Sequence, residues 1–123
     1  MMNRALIIRK EYLDQILGGD KVWEMRTSRT KVRGRIGLIE QGSGLIVGEV
    51  DLIDSLDAIG RLGRICCFDF HRVKDLDLLK KWKYPWVLSN PVRYKEPMPY
   101  THPKGAVIWV KVDLDHDANP QLP

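Results

Sequence analysis

Lys21, Glu24 and Arg26 are charged side chains whose types and spacing suggest chemistry. They lie in residues 21–27, which have the alternation of a β-strand. In a regularly pleated strand Glu24 and Arg26 share one face and Lys21 points to the other, so the three converge only at a strand end or a bulge. A nearby guanidinium favours the neutral amine of Lys21, whereas a nearby carboxylate favours its ammonium. The neutral amine can act as a base or nucleophile, and the ammonium can bind a phosphate or a carbonyl oxygen. The alternative is an ion-pair ladder on an exposed sheet face.

The positive charge of the chain is concentrated around these residues. The net charge is +4, and residues 21–35 carry six cations against one acid, whereas the rest of the chain carries 14 against 15. Arg29, Arg33 and Arg35 have planar guanidinium groups that suit bidentate contacts with phosphate. The stretch therefore predicts a basic rim that faces an anionic partner such as RNA. A solvated loop is the alternative.

Trp86 and Asn90 are candidates for contacts with a base. A tryptophan face can stack on a base, and an asparagine amide can bond to a base edge. Trp86 also belongs to an apolar run typical of a buried strand, and Asn90 precedes Pro91, as in many turns. Both interpretations remain open for each residue at this point.

The histidines and cysteines do not predict a metal site. His71, His102 and His116 lack the spacing of metal ligands, and we expect His71 to be an ordinary hydrogen-bonded histidine. Cys66 and Cys67 are adjacent, which disfavours a disulfide, and we expect two buried small side chains in a reducing compartment. We expect no metal and no cofactor.

Length and composition predict one folded domain. The chain has 123 residues, of which 44% are hydrophobic and 29% charged. No run approaches the ~18–20 apolar residues that a membrane helix needs, and the amino end lacks the features of a signal peptide. We expect one domain over residues 1–114, a polar tail over residues 115–123, and a cytoplasmic location.

Hydrophobic periodicity predicts an α+β domain with about six strands and two or three short helices. Gly18-Gly19 is expected to end the first helix, and Gly48 to mark a bulge or a corner. Strands and helices do not alternate regularly, so a barrel-like sheet is favoured over a doubly wound one. The predicted strands cover residues 3–9, 21–27, 35–40 and 45–56, and then 86–88, 92–96 and 106–114 between prolines. The predicted helices cover residues 10–17 and 75–82, and residues 57–64 are ambiguous.

Several segments, taken in order, resemble an ASCH domain of the PUA-like superfamily. They are KVWEMR (residues 21–26), RGRI (33–36), GEVDL (48–52), YPWVLSNP (84–91) and EPMP (96–99). The likeness covers residues 5–114, almost the whole chain. It implies a small β-barrel decorated by helices, with a cleft at the strand of Lys21, Glu24 and Arg26. It further implies binding of RNA or a modified nucleoside in that basic cleft, with the rim and the base-contacting side chains described above around it.

The resemblance also implies an alternative function as an enzyme. Some ASCH proteins are similar to small amidohydrolases that deacylate N4-acetylcytidine. In that branch a lysine at the position of Lys21 acts with a threonine three residues later and a glutamate further on. Here Glu24 stands at the threonine position, and Asp69 is a candidate for the later acid. Lys21 would then be the nucleophile or base and Glu24 a proton shuttle. Weaker alternatives are a ribonuclease, for which no pair of histidines presents itself, and a module that binds an acidic protein.

Overall fold

The computed structural model describes residues 2–114, which form six strands, three α-helices and one 3₁₀ helix. The strands are β1 Met2–Ile8, β2 Trp23–Arg26, β3 Gly34–Glu40, β4 Leu45–Ser55, β5 Tyr84–Pro99 and β6 Trp109–Leu114. The helices are α1 Lys10–Leu17, α2 Arg61–Cys66, α3 Phe68–His71 and the 3₁₀ helix Leu76–Lys80. The predicted tail over residues 115–123 lies outside the described residues.

The six strands form one mixed sheet in the order β2-β5-β4-β3-β1-β6. β1 and β3 run parallel, and the other neighbouring strands run antiparallel. The predicted α+β class and strand number are confirmed. The sheet does not close into a barrel, since β2 and β6 are its two edge strands. Just before β2, the amide of Val22 donates to the carbonyl of Phe70 in α3 at 3.1 Å.

β5 is one continuous strand, whereas the sequence analysis predicts short strands separated by prolines. Pro85, Pro91 and Pro97 all lie within it. A proline cannot donate a ladder hydrogen bond, but it is tolerated at bulges. The pairing of β4 with β5 shifts register at three places, and Asn90 adopts a left-handed φ of 54° at one of them. Pro91 and Pro97 therefore lie at irregularities of the pairing, Pro85 pairs in register with Met25, and none of the three ends the strand.

Gly48 lies at the first of these register shifts, as the bulge prediction requires. A Cβ atom built on Gly48 would lie 2.5 Å from the carbonyl oxygen of Val92 on β5 and 2.8 Å from a methyl group of Leu17. The backbones of β4 and β5 therefore approach closely at this point, which a side chain would prevent.

One helical prediction needs correction, and the ambiguous segment is assigned by the structure. The ambiguous residues 57–64 contain the start of α2, and the helix expected over residues 75–82 is the shorter 3₁₀ helix. In that element the side chain of Asp75 accepts from the amide of Asp77, which satisfies one amide at the start of the turn. The helix α3 was not predicted, because four residues are too few to display a helical period.

Three apolar clusters hold these elements together. The largest joins the sheet to α1 through Leu13 and Ile16. A second lies between β1, β3, β4, β5 and β6. The third contains Met25, Val73 and Leu79 and leads directly to the candidate site.

Candidate functional site

A cavity of about 190 Å³ opens beside β1, α1 and β2, over the third apolar cluster. Its lining combines charged and polar side chains with aromatic and aliphatic ones. The polar and charged lining residues are Arg9, Tyr12, Lys21, Glu24, Arg26 and Gln41, and the apolar ones are Ile7, Ile8, Met25, Val73, Leu79, Trp82 and Val107. Lys21, Glu24 and Arg26, which the sequence analysis grouped, therefore meet at one cavity.

Lys21 reaches the cavity because it lies just before β2 and not within it. The helix α1 ends at Leu17, Gly19 adopts a left-handed φ of 89°, and the amide of Lys21 donates to the carbonyl of Gln15. The strand begins only at Trp23. The strand end that convergence requires is therefore present.

The side chain of Lys21 is only 2% exposed. Its Nζ donates to the backbone carbonyl of His71 and lies 5.0 Å from the ring centre of Tyr12. Burial lowers the pKa of Lys21 from 10.5 to about 8, against the effect of the Glu24 carboxylate and with that of the Arg26 guanidinium. With that pKa, about one molecule in ten carries a neutral amine at pH 7.

Glu24 and Arg26 form a fixed ion pair on β2. Oε2 of Glu24, a residue only 5% exposed, accepts from Nε of Arg26 at 3.1 Å and from Nη2 at 2.8 Å. Nη2 also donates to the carbonyl of Ile7 on β1. Every hydrogen bond from a described residue to the Glu24 side chain reaches Oε2, so Oε1 remains available to a ligand.

His71 accepts a hydrogen bond from Lys21 and is itself held by two hydrogen bonds of its ring. Its ring is fully buried, Nδ1 accepts from the amide of Val73 at 2.9 Å, and Nε2 therefore donates to the carbonyl of Arg64 at 2.9 Å. Burial lowers the pKa of His71, so the ring is neutral at pH 7. The expectation of an ordinary hydrogen-bonded histidine is confirmed, and its carbonyl holds the lysine ammonium.

The arginines of the predicted rim do not line the cavity. Each is paired with an acid on β4 or just after it, which the local charge count did not include. The pairs are Arg29–Asp57 at 3.0 Å, Arg33–Asp54 at 3.7 Å and Arg35–Glu49 at 2.5 Å. Contacts of this rim with RNA stay a prediction, and the charge available for them is smaller than the sequence suggests.

Trp86 does not line the cavity. It is 3% exposed, its ring stacks on Trp109 at 5.8 Å, and the guanidinium of Arg26 lies 5.5 Å above it. Its indole nitrogen donates to the carbonyl of Ser28. Trp86 therefore packs between Arg26 and Trp109, and both faces of the Trp86 ring are covered in this arrangement.

Asn90 lies on the other side of Lys21. Its side chain donates to Asp51 at 2.9 Å, and its carbonyl accepts from Arg35 at 2.6 Å. With Lys21 it lines a separate hollow of about 140 Å³. Asn90 thus lies at a bend of the backbone, as the turn interpretation predicts, and it does not line the larger cavity.

The remaining candidates lie elsewhere. The carboxylate of Asp69 is 89% exposed near Arg72 and does not line the cavity. Cys66 and Cys67 are free thiols, and Cys66 is exposed, so the expectation that both are buried is wrong. Cys66 lies on α2, which has no buried residue, and Cys67 directly after it is half-buried.

Two findings concern metals and membranes. Within residues 2–114 no group of three or more histidine, cysteine or acidic residues is arranged to hold a metal ion. No helix in the described part of the chain has the length and apolar character to cross a membrane.

The sequence analysis missed Tyr12, Gln41 and Trp82 as lining residues. Tyr12 and Trp82 lie in the predicted helical segments 10–17 and 75–82, where their spacing is that of apolar residues facing a core. A hydroxyl-bearing ring on the apolar face of α1 was the available signal, since such a side chain has an end that seeks a polar neighbour.

The ASCH domain family model matches residues 6–112, a range that contains every residue lining the cavity. The chain belongs to the ASCH domain family. Three solved structures of an ASCH protein from Zymomonas mobilis share its fold. The unaltered protein is 10% identical with a TM-score of 0.69, over 89% of this chain and 87% of that one. A serine-to-alanine mutant of that protein is 11% identical with a TM-score of 0.67 over the same shares. A tyrosine-to-phenylalanine mutant of it is 10% identical with a TM-score of 0.69, over 92% and 91%. No curated protein matches the chain.

Proposed function

We propose that this ASCH domain binds one base of a modified nucleoside, free or within RNA, in the cavity beside Lys21 and Glu24. The observation that carries the proposal is a buried ammonium and an ion-paired carboxylate that line one cavity together with two aromatic side chains. A cavity of roughly 150 Å³ can hold benzene. A volume of about 190 Å³ therefore suits one six-membered ring with a small substituent.

Lys21 and Glu24 together offer one hydrogen-bond donor and one acceptor to the edge of a base. The ammonium of Lys21 donates, and Oε1 of Glu24 accepts. The edge of an unpaired base has donors and acceptors side by side, which proteins read by hydrogen bonds of this kind. Tyr12 and Trp82 supply aromatic surface at the cavity wall, and the guanidinium of Arg9 lies 5.3 Å from the ring centre of Trp82. The site thus has both polar recognition and an apolar wall.

The charge distribution favours a small ligand over a long RNA strand. The arginines of the predicted rim already contact carboxylates. An arginine in such a pair attracts a phosphate less strongly, because the neighbouring carboxylate already neutralises part of its positive charge. Affinity should therefore come mainly from the base cavity and depend weakly on salt.

The test is calorimetric binding of free cytidine, N4-acetylcytidine, uridine and adenosine. We expect a pyrimidine nucleoside to bind, and Glu24→Gln to weaken it by at least about tenfold, as for a hydrogen bond to a charged group. Glu11→Gln is the matched control, because Glu11 is an exposed carboxylate on α1 that does not line the cavity. Equal affinity of Glu24→Gln and the wild type, or no binding of any nucleoside at millimolar concentration, would refute the proposal.

A second candidate is hydrolysis of the N4-acyl amide of the same nucleoside. The lowered pKa of Lys21 favours it, since a fraction of the amine is neutral at pH 7. Water would attack the acyl carbon while Lys21 accepts the water's proton. The carbon–nitrogen bond then breaks, the leaving N4 nitrogen takes a proton back from Lys21, and cytidine leaves with acetic acid, which loses its proton to water as acetate. Oε1 of Glu24 can relay this proton from the Lys21 ammonium to the N4 nitrogen.

Release of acetate from N4-acetylcytidine distinguishes binding from turnover. Hydrolysis predicts that the wild type releases acetate and that Lys21→Arg binds the nucleoside but releases none, since a guanidinium does not lose its proton. Lys10→Arg, at an exposed lysine, is the control and should match the wild type. Binding without acetate release by the wild type would leave the domain a binder and exclude this hydrolysis.

A further inference from the structure

A second hollow, of about 340 Å³, adjoins the base cavity and has no part in the function proposed above. Ile7, Gln41 and Val107 line both spaces and so form a ridge between them. Beyond the ridge, the hollow is lined by Gly42, Gly44, Tyr100, His102 and Ala106. None of its lining residues is charged, so the hollow does not suit a phosphate.

The far wall of the hollow is an ordered pair of aromatic rings. Nε2 of His102 lies 2.8 Å from the carbonyl of Ala106, to which it must donate. In a neutral imidazole Nδ1 is then an acceptor, so the hydroxyl of Tyr100, 2.7 Å away, donates to it. The ring centres are 5.7 Å apart with planes at 60°. These bonds fix both rings without a ligand.

Two of the three residues of the ridge are exposed, whereas Ile7 is buried beneath them. Val107 is 75% exposed although it is apolar, and Gln41 is also exposed. The Gln41 amide can both donate and accept at the point where a ligand would pass from one hollow to the other. An exposed valine between two hollows loses its contact with water when a ligand covers it.

We propose that the second hollow receives the base next to the one in the cavity, so that the domain reads two consecutive nucleotides of single-stranded RNA. The proposal rests on the proposed function and names its ligand more closely. Tyr100 and His102 offer aromatic surface for stacking, which is how proteins hold successive bases of a single strand. The ribose of the first nucleotide would cross the ridge over Val107, within reach of the amide of Gln41.

The test compares N4-acetylcytidine with dinucleotides that carry the same modified cytidine and an adenosine on its 5′ or its 3′ side. We expect one of the two orders to bind at least about fivefold more tightly than the nucleoside, the lower end for stacking of one base on an aromatic side chain. His102→Ala and Tyr100→Leu should remove most of that gain and leave the affinity for the nucleoside unchanged. Phe70→Leu, at an exposed aromatic ring that lines neither space, should keep the gain.

The outcomes separate this inference from the function on which it rests. If the nucleoside binds and neither dinucleotide binds more tightly, the second hollow is not a nucleotide site and the proposed function stands. A gain that persists in both His102→Ala and Tyr100→Leu would place the second base elsewhere and also overturn the inference. His102→Ala is decisive if Tyr100→Leu does not fold, because His102 is exposed whereas Tyr100 packs on a core cluster. If neither nucleoside nor dinucleotide binds, the proposed function itself is wrong.

Discussion

Replacing Lys21 by methionine should change how stability depends on pH, because the lysine is buried with a lowered pKa. Its pKa falls from 10.5 in the unfolded chain to about 8 in the folded protein. At about 1.4 kcal/mol for each pKa unit, this difference corresponds to about 3 kcal/mol. Below pH 8 both states carry the ammonium, and the folded state bears the full cost of burying it.

The sign follows from proton binding. Between pH 8 and 10.5 the folded state has lost the lysine proton and the unfolded state still holds it. The unfolded state therefore binds more protons, and stability rises with pH across this window. Of the total, about 2.5 kcal/mol develops between pH 7 and pH 10. Tyr12, Glu24 and Arg26 face Lys21 in both proteins, so their own titration largely cancels in the comparison.

The assay is urea unfolding of the wild type and Lys21→Met at intervals from pH 7 to pH 10. We expect the free energy of unfolding of the wild type to rise by about 2.5 kcal/mol relative to Lys21→Met over this range. Lys10→Met is the matched control. A hydrogen bond from Lys10 to Asp14 raises the pKa of this exposed lysine, so no such gain is expected below pH 10. A flat difference between the wild type and Lys21→Met would refute the account of Lys21 as a desolvated ammonium.

Four further substitutions test the packing and the ion pairs of the domain, each by urea unfolding at pH 7. Arg26→Gln should destabilise the fold by about 3 kcal/mol, because it leaves the buried carboxylate of Glu24 without its ionic partner; a loss below about 1 kcal/mol would contradict the fixed pair. Gly48→Ala should cost about 2 kcal/mol, because its methyl group meets a carbonyl of the facing strand; an unchanged midpoint would show that β4 and β5 can separate there. Arg35→Ser should cost about 3 kcal/mol, because it uncovers a fully buried glutamate, whereas Arg29→Ser should cost less than about 1 kcal/mol at an exposed pair. Equal losses for the two arginines would show that burial does not distinguish these pairs.

Local patterns in the sequence predict much of the fold. The boundaries of α1 follow from apolar spacing and the Gly-Gly end, and those of β3 and β4 from apolar runs around a turn. The same reasoning divided β5 at its prolines, because a proline signals a break locally. Whether a bulge absorbs the missing amide depends on the facing strand, which lies some forty residues away in the chain.

The candidate site was predictable where its geometry is local. The spacing of Lys21, Glu24 and Arg26 predicts that they belong together, but the sequence places Lys21 within the strand, and the structure shows that the strand begins only at Trp23. The partners of the loop arginines could not be predicted, since the carboxylate of Glu49 reaches Arg35 only through the pairing of β3 with β4. The second hollow could not be predicted from the sequence either, because it forms between residues 41–44 and 100–107, which are far apart in the chain.

The most direct test of the central claim is an NMR titration of the lysine side chains, labelled with ¹³C at Cε, against N4-acetylcytidine. The account predicts that the Lys21 signal of the unliganded protein titrates with a midpoint near pH 8. It also predicts that saturating nucleoside shifts this signal and leaves that of the exposed Lys10 unchanged. Binding of the nucleoside with an unchanged Lys21 signal would place the ligand outside the cavity and contradict the account.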